Sequence, residues 1–253
     1  MQRVIITGAS SGIGTALARH YAQQGAALGL IARRKTELEH VAAQLPSPTL
    51  IYPADVRDAA ALQAAAADFI ARRGCPDIVI ANAGISIGTL TEFAADTLAF
   101  QDVIDTNVVG MVKTFQPFLA AMRAAGRGSL VGIASVAGYR GLPGAAAYCA
   151  SKAAAISYLE SLRIELRGCG LKVITICPGY VATPMTAHNP YPMPFLLSAD
   201  AAARKIAALI ERSQTFAVLP WQMALVARIL RTLPNWLYDR LFGNAPRKPR
   251  RAP

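Results

Sequence analysis

Arg3-Val-Ile-Ile-Thr7-Gly8-Ala-Ser-Ser-Gly12-Ile-Gly14-Thr-Ala-Leu17 stands near the start of the 253-residue chain. The β-branched run reads as a short strand. The three glycines read as a turn, and Ala16, Leu17 and Tyr21 as the inward face of a helix that stops at Gly25. A strand that turns through glycine into a helix is the opening unit of a parallel α/β sheet. Glycines let the backbone come close to a bound group, and a helix N-terminus offers unpaired N–H groups to an anion such as a pyrophosphate.

The same alternation continues along the chain. A strand at 26–32 runs into Arg33 and Arg34, then comes a helix at 35–45, and a strand at 49–54 ends in Asp55-Val56. An Ala-rich helix to Arg73 precedes Asp77-Ile-Val-Ile-Ala-Asn82-Ala83-Gly84, a buried parallel strand by its unbroken apolar run. One long helix is predicted over 97–125, with Asp105-Thr-Asn107 inside it. A strand at 129–135 ends at Ser135 and a Gly-rich loop reaches Gly144. A helix at 145–167 then carries Tyr148-Cys-Ala-Ser-Lys152, and a strand at 171–177 is stopped by Pro178-Gly179. The crossovers are too long for hairpins, so the sheet is parallel: α/β and doubly wound, with helices on both faces; the expected sheet is seven-stranded, one strand more than these six. Ligands bind such sheets beyond the strand carboxyl ends. Gly12, Arg33, Asp55, Asn82, Ser135 and Pro178 all fall there.

Several of these residues carry chemistry, each beside a plainer reading. Residues four apart share a helix face, so the Tyr148 phenol and the Lys152 ammonium can meet, the ammonium favouring the phenolate that a general acid/base needs; a surface pair is the bland alternative. At the end of strand two an acid would bind the ribose hydroxyls of a dinucleotide, whereas arginine accommodates a 2′-phosphate. The first acid is Glu37, already on the next helix, so Arg33 and Arg34 point to NADP(H) over NAD(H), or else are solvated helix-start charges. Asp55 can accept from an adenine amino group or cap the helix starting near Asp58. Asn107 is unfavourable inside a helix, which hints at a role.

Composition excludes other classes. Hydrophobic residues make up 53% of the chain, which predicts a globular protein. No window approaches the ~18 apolar residues of a membrane span, and no signal peptide is evident. Cys75, Cys149, Cys169 and Cys177 show neither metal nor disulfide spacing, so reduced thiols and a cytoplasmic setting are expected. The net charge of +11 is partly local, because Arg247, Lys248, Arg250 and Arg251 of the Pro-rich tail supply four charges. No basic stripe interleaved with aromatics appears, and nucleic acid is not an expected partner. His188 has no ligand neighbours and reads as a loop histidine, with no metal site.

Thr7-Gly-x-x-x-Gly12-x-Gly14, Asn82-Ala-Gly84, Asn107, Ser135, Tyr148-x-x-x-Lys152 and Pro178-Gly179 together resemble the short-chain dehydrogenase/reductase family, in order and at family spacing over 1–220. The one small departure is Ala81, where many relatives carry a second Asn. The resemblance implies a Rossmann-type fold and a catalytic tetrad of Asn107, Ser135, Tyr148 and Lys152. Tyr148 would exchange a proton with the substrate oxygen, and Ser135 would hydrogen-bond that oxygen. Lys152 would lower the Tyr148 pKa and hold the nicotinamide ribose, and Asn107 would anchor a water. Implied cofactor contacts are Gly8, Ser10, Ser11, Gly12, Ile13, Gly14, Arg33, Arg34, Asp55, Val56, Asn82, Ala83, Gly84, Tyr148, Lys152, Pro178, Gly179, Val181 and Thr183. A homodimer or homotetramer packed through the helices at 97–125 and 145–167 is also implied.

Beyond Pro178 the motifs end. Residues 180–197 form a Pro-rich apolar segment in which Met185, Tyr191, Met193 and Phe195 suggest a lipophilic substrate. In the extension at 221–243, Trp221, Leu225, Ile229, Leu233, Leu237 and Leu241 recur every four residues, Val226, Leu230 and Trp236 widen the stripe, and Pro234 divides two helices. Three readings stand: a cover for the substrate pocket or subunit interface, a peripheral contact with an anionic inner-membrane surface, or simple core. The basic tail 244–253 is expected to be disordered. The expected function is NADP(H)-dependent interconversion of a carbonyl and a secondary alcohol, in the reductive direction. A non-catalytic NADP(H)-binding sensor or scaffold is the alternative.

Overall fold

In the structure, a computed structural model that describes residues 1–187, 189 and 191–250, the described residues form nine α-helices and nine strands, which alternate through most of the chain. His188 and residues 251–253 lie outside the described residues. Strands β1 (Arg3–Thr7), β2 (Ala27–Ala32), β3 (Thr49–Pro53), β4 (Ile78–Ala81), β5 (Gly128–Ile133), β6 (Leu171–Pro178) and β9 (Phe216–Leu219) form one sheet in the order β3-β2-β1-β4-β5-β6-β9. Every neighbouring pair is parallel. The pair β7 (Val181–Ala182) and β8 (Leu197–Ser198) stands apart. Strand order reverses between β1 and β4, which places the switch point of the sheet beside the first glycine turn.

Side chains alternate across the strands and build a core on each face. Val4 and Ile6 pack with Leu17 and Tyr21 of α1 (Gly12–Gln23), Leu38 of α2 (Lys35–Ala43) and Ile206 of α7 (Ala199–Glu211). Ile5 and Val79 pack on the other side with Phe69 of α3 (Ala59–Arg73), Phe115 of α5 (Gly110–Ala125) and Leu159 of α6 (Ala146–Glu165).

The helix predicted over 97–125 is broken. It forms α4 (Asp96–Ile104), a π-turn at Asp105–Val109, and α5. The cause is Asn107, whose buried amide must meet partners off the helix: Oδ1 accepts from Ile85 N at 2.8 Å, and Nδ2 donates to Ile85 O at 2.9 Å and Ser151 Oγ at 3.0 Å. An inserted turn of this kind is a recurrent feature of functional sites.

Pro234 divides the extension as predicted, into α8 (Trp221–Thr232) and α9 (Asn235–Phe242). The four-residue stripe, however, faces outward on α8: Trp221 is 71% exposed, Leu225 55% and Ile229 51%. Met223 and Ala227 are the buried residues of that helix. The reason is the loop beneath, which takes the other face: Arg140 Nη1 donates to the carbonyls of Leu230 and Leu233, Arg231 donates to Tyr139 O, and Tyr238 Oη donates to Gly141 O.

The tail is a second correction. Composition predicts disorder over 244–253, but residues 244–250 lie along the body. Arg250 makes a bidentate ion pair with Asp96 at 2.7 and 3.0 Å and stacks 3.6 Å from the Phe93 ring centroid. Gly88 N donates to Pro249 O at 3.0 Å. A charge run is solvated only where no acid lies in reach, and here Asp96 does.

Candidate active site

The carboxyl ends of β1 to β6 open onto one cleft of about 280 Å3. Gly8, Ser10, Ser11, Gly12, Ile13, Arg33, Arg34, Asp55, Val56, Asn82, Ala83, Gly84, Ser135, Tyr148, Lys152, Pro178, Gly179, Val181 and Thr183 line it. Two of the expected residues do not. Asn107 is fully buried behind the wall, and Gly14 serves packing: a Cβ there would strike the Gly8 carbonyl and come 2.8 Å from Asn82 Nδ2.

The first turn is braced from β4. Thr7 Oγ1 accepts from the backbone N–H of Asn82 and Ala83 at 3.1 and 3.2 Å, and Asn82 Nδ2 donates to Thr7 O at 3.0 Å. The Asn82 amide therefore holds the loop rather than reaching for a ligand. Gly8 and Gly12 sit at φ +66° and +58°, where a side chain is strained. Helix α1 begins at this turn without a side-chain cap, whereas Asp58 caps α3 and Ser198 caps α7. The N–H groups of its first turn thus face the cleft with their positive end, a donor set that fits a diphosphate.

At the far end of the cleft, Arg33 is 61% exposed at its side chain, with Nη1 3.9 Å from Asp55. Arg34 Nη2 donates to Ser10 Oγ at 3.2 Å. Asp55 is held by Arg57, side chain to side chain at 2.8 Å and through the Arg57 backbone N–H at 2.9 Å. Burial raises the Asp55 pKa, but the Arg57 bonds outweigh it and hold the carboxyl below its usual range. The cap of α3 is Asp58, so Asp55 keeps its place on the cleft wall.

At the near end, Ser135 and Lys152 are buried and Tyr148 is half-buried. Ser135 Oγ accepts from Ala137 N at 3.1 Å and donates to Pro178 O at 3.4 Å. Lys152 Nζ donates to Ile133 O at 2.8 Å and lies 5.7 Å from the Tyr148 ring centroid. The resemblance implies that Lys152 draws the Tyr148 pKa down. Burial acts more strongly: it pushes the phenol up to about 12, against a downward pull from the Ser135 hydrogen bond, and brings the ammonium down to about 8. The ammonium turned onto a carbonyl leaves desolvation the larger effect at both groups.

A second, larger cavity of about 400 Å3 adjoins this end. Ser135, Tyr148, Gly179, Met185 and Thr186 belong to the walls of both. Met185 and Tyr191 line the second cavity, as the apolar segment suggested; Met193 and Phe195 do not, and Phe195 is turned out to solvent. Part of the wall had no sequence signal: Arg140 and Leu142 come from an irregular loop and Met223 from α8 outside the apolar stripe, whereas Val226 and Leu230, which widen that stripe, face the cavity, and Lys248 comes from the tail. In the cofactor cleft, Ile85 and Thr186 were missed for the same reason, since neither stands in a motif.

A polar cleft at the switch point of a doubly wound sheet, with a tyrosine and a lysine where it meets an apolar chamber, is the layout of an NAD(P)-dependent oxidoreductase. The chain belongs to the short chain dehydrogenase family, whose sequence profile matches residues 2–192. A Myxococcus xanthus protein described as an uncharacterized oxidoreductase is 39% identical over 239 residues, covering 93% of this chain and 94% of that one. An 11-beta-hydroxysteroid dehydrogenase 1A of Arabidopsis thaliana is 38% identical over 187 residues, 72% of this chain and 53% of the relative. Among solved structures, an alcohol dehydrogenase of Thermococcus sibiricus complexed with 5-hydroxy-NADP matches with a TM-score of 0.78 at 27% identity, over 87% of this chain and 96% of that one.

Proposed function

We propose that this oxidoreductase is an NADP(H)-dependent carbonyl reductase acting on a lipophilic small molecule, with Tyr148 as its proton donor. The carrying observation is that Ser135 and Tyr148 stand at the junction of a polar cleft and an apolar cavity. When bound, the nicotinamide supplies hydride. The α1 N-terminus would hold the diphosphate, and Lys152 and Tyr148 would hold the nicotinamide end. Ser135 Oγ, by turning its one proton from the Pro178 carbonyl to the substrate oxygen, steadies the charge that grows there. Tyr148, protonated at neutral pH, gives that oxygen its proton. Asn107 acts behind them by fixing Ile85 and Ser151. Arg33 and Arg34, exposed at the far end of the cleft, would pair with an adenosine 2′-phosphate, which supports the preference for NADP(H).

Titration with NADPH and NADH, followed by nicotinamide fluorescence, tests the cofactor reading. Wild-type protein is expected to bind NADPH at least about 10-fold tighter, and Arg33→Asp to abolish that preference. Equal binding of both by wild type would overturn it, with the reductive direction.

Two exposed apolar surfaces support further contacts. Leu98 on α4, Val109 at the π-turn and Ile164 on α6 support a homodimer or homotetramer through these helices. The outer stripe of α8 and α9, beside Arg228 and Arg240, supports peripheral attachment to an anionic membrane. Among the described residues no helix is long and apolar enough to cross a membrane.

A further inference from the structure

We propose that the C-terminal strap, residues 244–250, carries the recognition site for a carboxylate on the substrate, formed by the Lys248 ammonium and the Ser86 hydroxyl. The compound reduced is then an oxo acid with an apolar body, its carbonyl at Tyr148 and its carboxylate at Lys248. This deepens the reductase reading and rests on it.

The wall of the second cavity is largely apolar, with Leu142, Met223 and Phe242 among its residues, yet two cations reach it, Arg140 and Lys248. Arg140 is fully engaged in structure. Its Nη1 donates to Leu230 O and Leu233 O, its Nη2 to Asn235 Oδ1 at 2.9 Å, and its guanidinium lies 3.9 Å from the Tyr238 ring centroid. Lys248 differs. Its Nζ donates to one neutral partner, Ser86 Oγ, at 2.8 Å, and burial alone draws its titration downward. Among the described residues this half-buried ammonium has no counter-ion, which is costly, and an oxyanion beside it forms a charge-assisted bond in a poorly solvated setting. Ser86 Oγ accepts from Lys248 and keeps its own proton to donate to the same oxyanion. Neither residue lines the cofactor cleft, so this cation is not a phosphate ligand of the dinucleotide.

The strap is seated, not draped. Beyond the Arg250–Asp96 ion pair, the Asp96 carboxylate also accepts from Leu90 N at 2.8 Å. At Gly88 a Cβ would collide with the carbonyl of Lys248, and at Gly144 it would lie 2.8 Å from Arg247 Cβ. Two glycines thus open the groove along which the strap brings Lys248 to the cavity.

The probes are octanoate and 1-octanol, titrated calorimetrically into the NADP-loaded protein, then 7-oxooctanoate and its methyl ester as substrates with NADPH. Wild type is expected to bind octanoate at least about 10-fold tighter than 1-octanol and to show a similar acid-to-ester ratio in kcat/KM. Both ratios should fall to near one in Lys248→Ala, weaken in Ser86→Ala and survive in Lys248→Arg. Equal binding by wild type, or a preference that persists in Lys248→Ala, overturns the site. Turnover of both ketones at a ratio near one overturns the carboxylate site and keeps the reductase. Octanoate binding that is lost in Lys248→Ala, with neither ketone turned over, keeps the site and counts against the reductase reading.

Discussion

Tyr148 and Lys152 share a dry end of the cleft, and burial works on them in opposite senses. The phenol, pushed up to about 12, stays protonated across the physiological range, and the ammonium, brought down to about 8, is mostly charged near neutrality and loses its proton as pH rises through about 8. A proton-bearing phenol suits reduction, in which the substrate oxygen must receive a proton. Two outcomes follow at this scale. Carbonyl reduction by Tyr148→Phe should fall by at least about 100-fold while NADPH binding persists; unaltered turnover would remove Tyr148 from the chemistry. Because kcat/KM reports the free enzyme, it should fall as pH rises through about 8, where Lys152 loses its charge. Lys152→Arg, charged throughout, should move that fall upward in pH; a wild-type profile flat from pH 7 to 9.5 would contradict a role for the ammonium.

Elements carry these residues, and the π-turn at Asp105–Val109 is the one whose form the site dictates. Asn107 ties that turn to Ile85, which lines the cofactor cleft, and to Ser151 on the helix of Tyr148 and Lys152. Asn107→Ala leaves the Ile85 N–H, the Ile85 carbonyl and the Ser151 hydroxyl short of a partner. At roughly 1–3 kcal/mol for each buried group left unsatisfied, a loss of about 3 kcal/mol is expected, read as a lower denaturation midpoint, together with weaker NADPH binding. A variant as stable as wild type would mean that the turn is held by other contacts. Helix α8 shows the converse case. The four-residue stripe identifies an apolar face, but Arg140 holds the helix by the Leu230 and Leu233 carbonyls, so that Val226 and Leu230 at the edge of the stripe face the cavity while Trp221, Leu225 and Ile229 are left to solvent. Periodicity reports how many faces are apolar, not which one the protein covers.

The whole molecule adds surfaces to the site. Ile164 is 62% exposed and Leu98 71%, on neighbouring helices, α4 packing against α6 and α6 on the sheet. Sedimentation velocity of wild type is expected to give a dimer or tetramer, and Ile164→Glu to shift it toward monomer; a wild-type monomer would leave these residues without that role. The stripe through Trp221, Leu225 and Ile229 predicts co-sedimentation with anionic vesicles and its loss in Trp221→Glu, and wild-type protein that stays in the supernatant would rule out the membrane contact. The strap ties the C-terminal end to the segment that follows β4, joining Arg250 to Asp96 and Lys248 to Ser86.

Most of the fold was legible from the chain alone. Alternating strand and helix patterns with long crossovers admit little except a parallel sheet, and chain order then brings Gly12, Arg33, Asp55, Asn82, Ser135 and Pro178 to one edge. Those properties are local, so they survive in a string of residues. What only the tertiary structure decided depends on which distant groups meet. Asn107 breaks its helix because Ile85 and Ser151 await its amide, and Gly14 serves Gly8 rather than the cleft. A tail that composition marks as solvated is instead drawn in by Asp96, and places Lys248 against Ser86, 162 residues away. Short-range pattern specifies elements; the balance of desolvation against partners far along the chain decides where each side chain finally points.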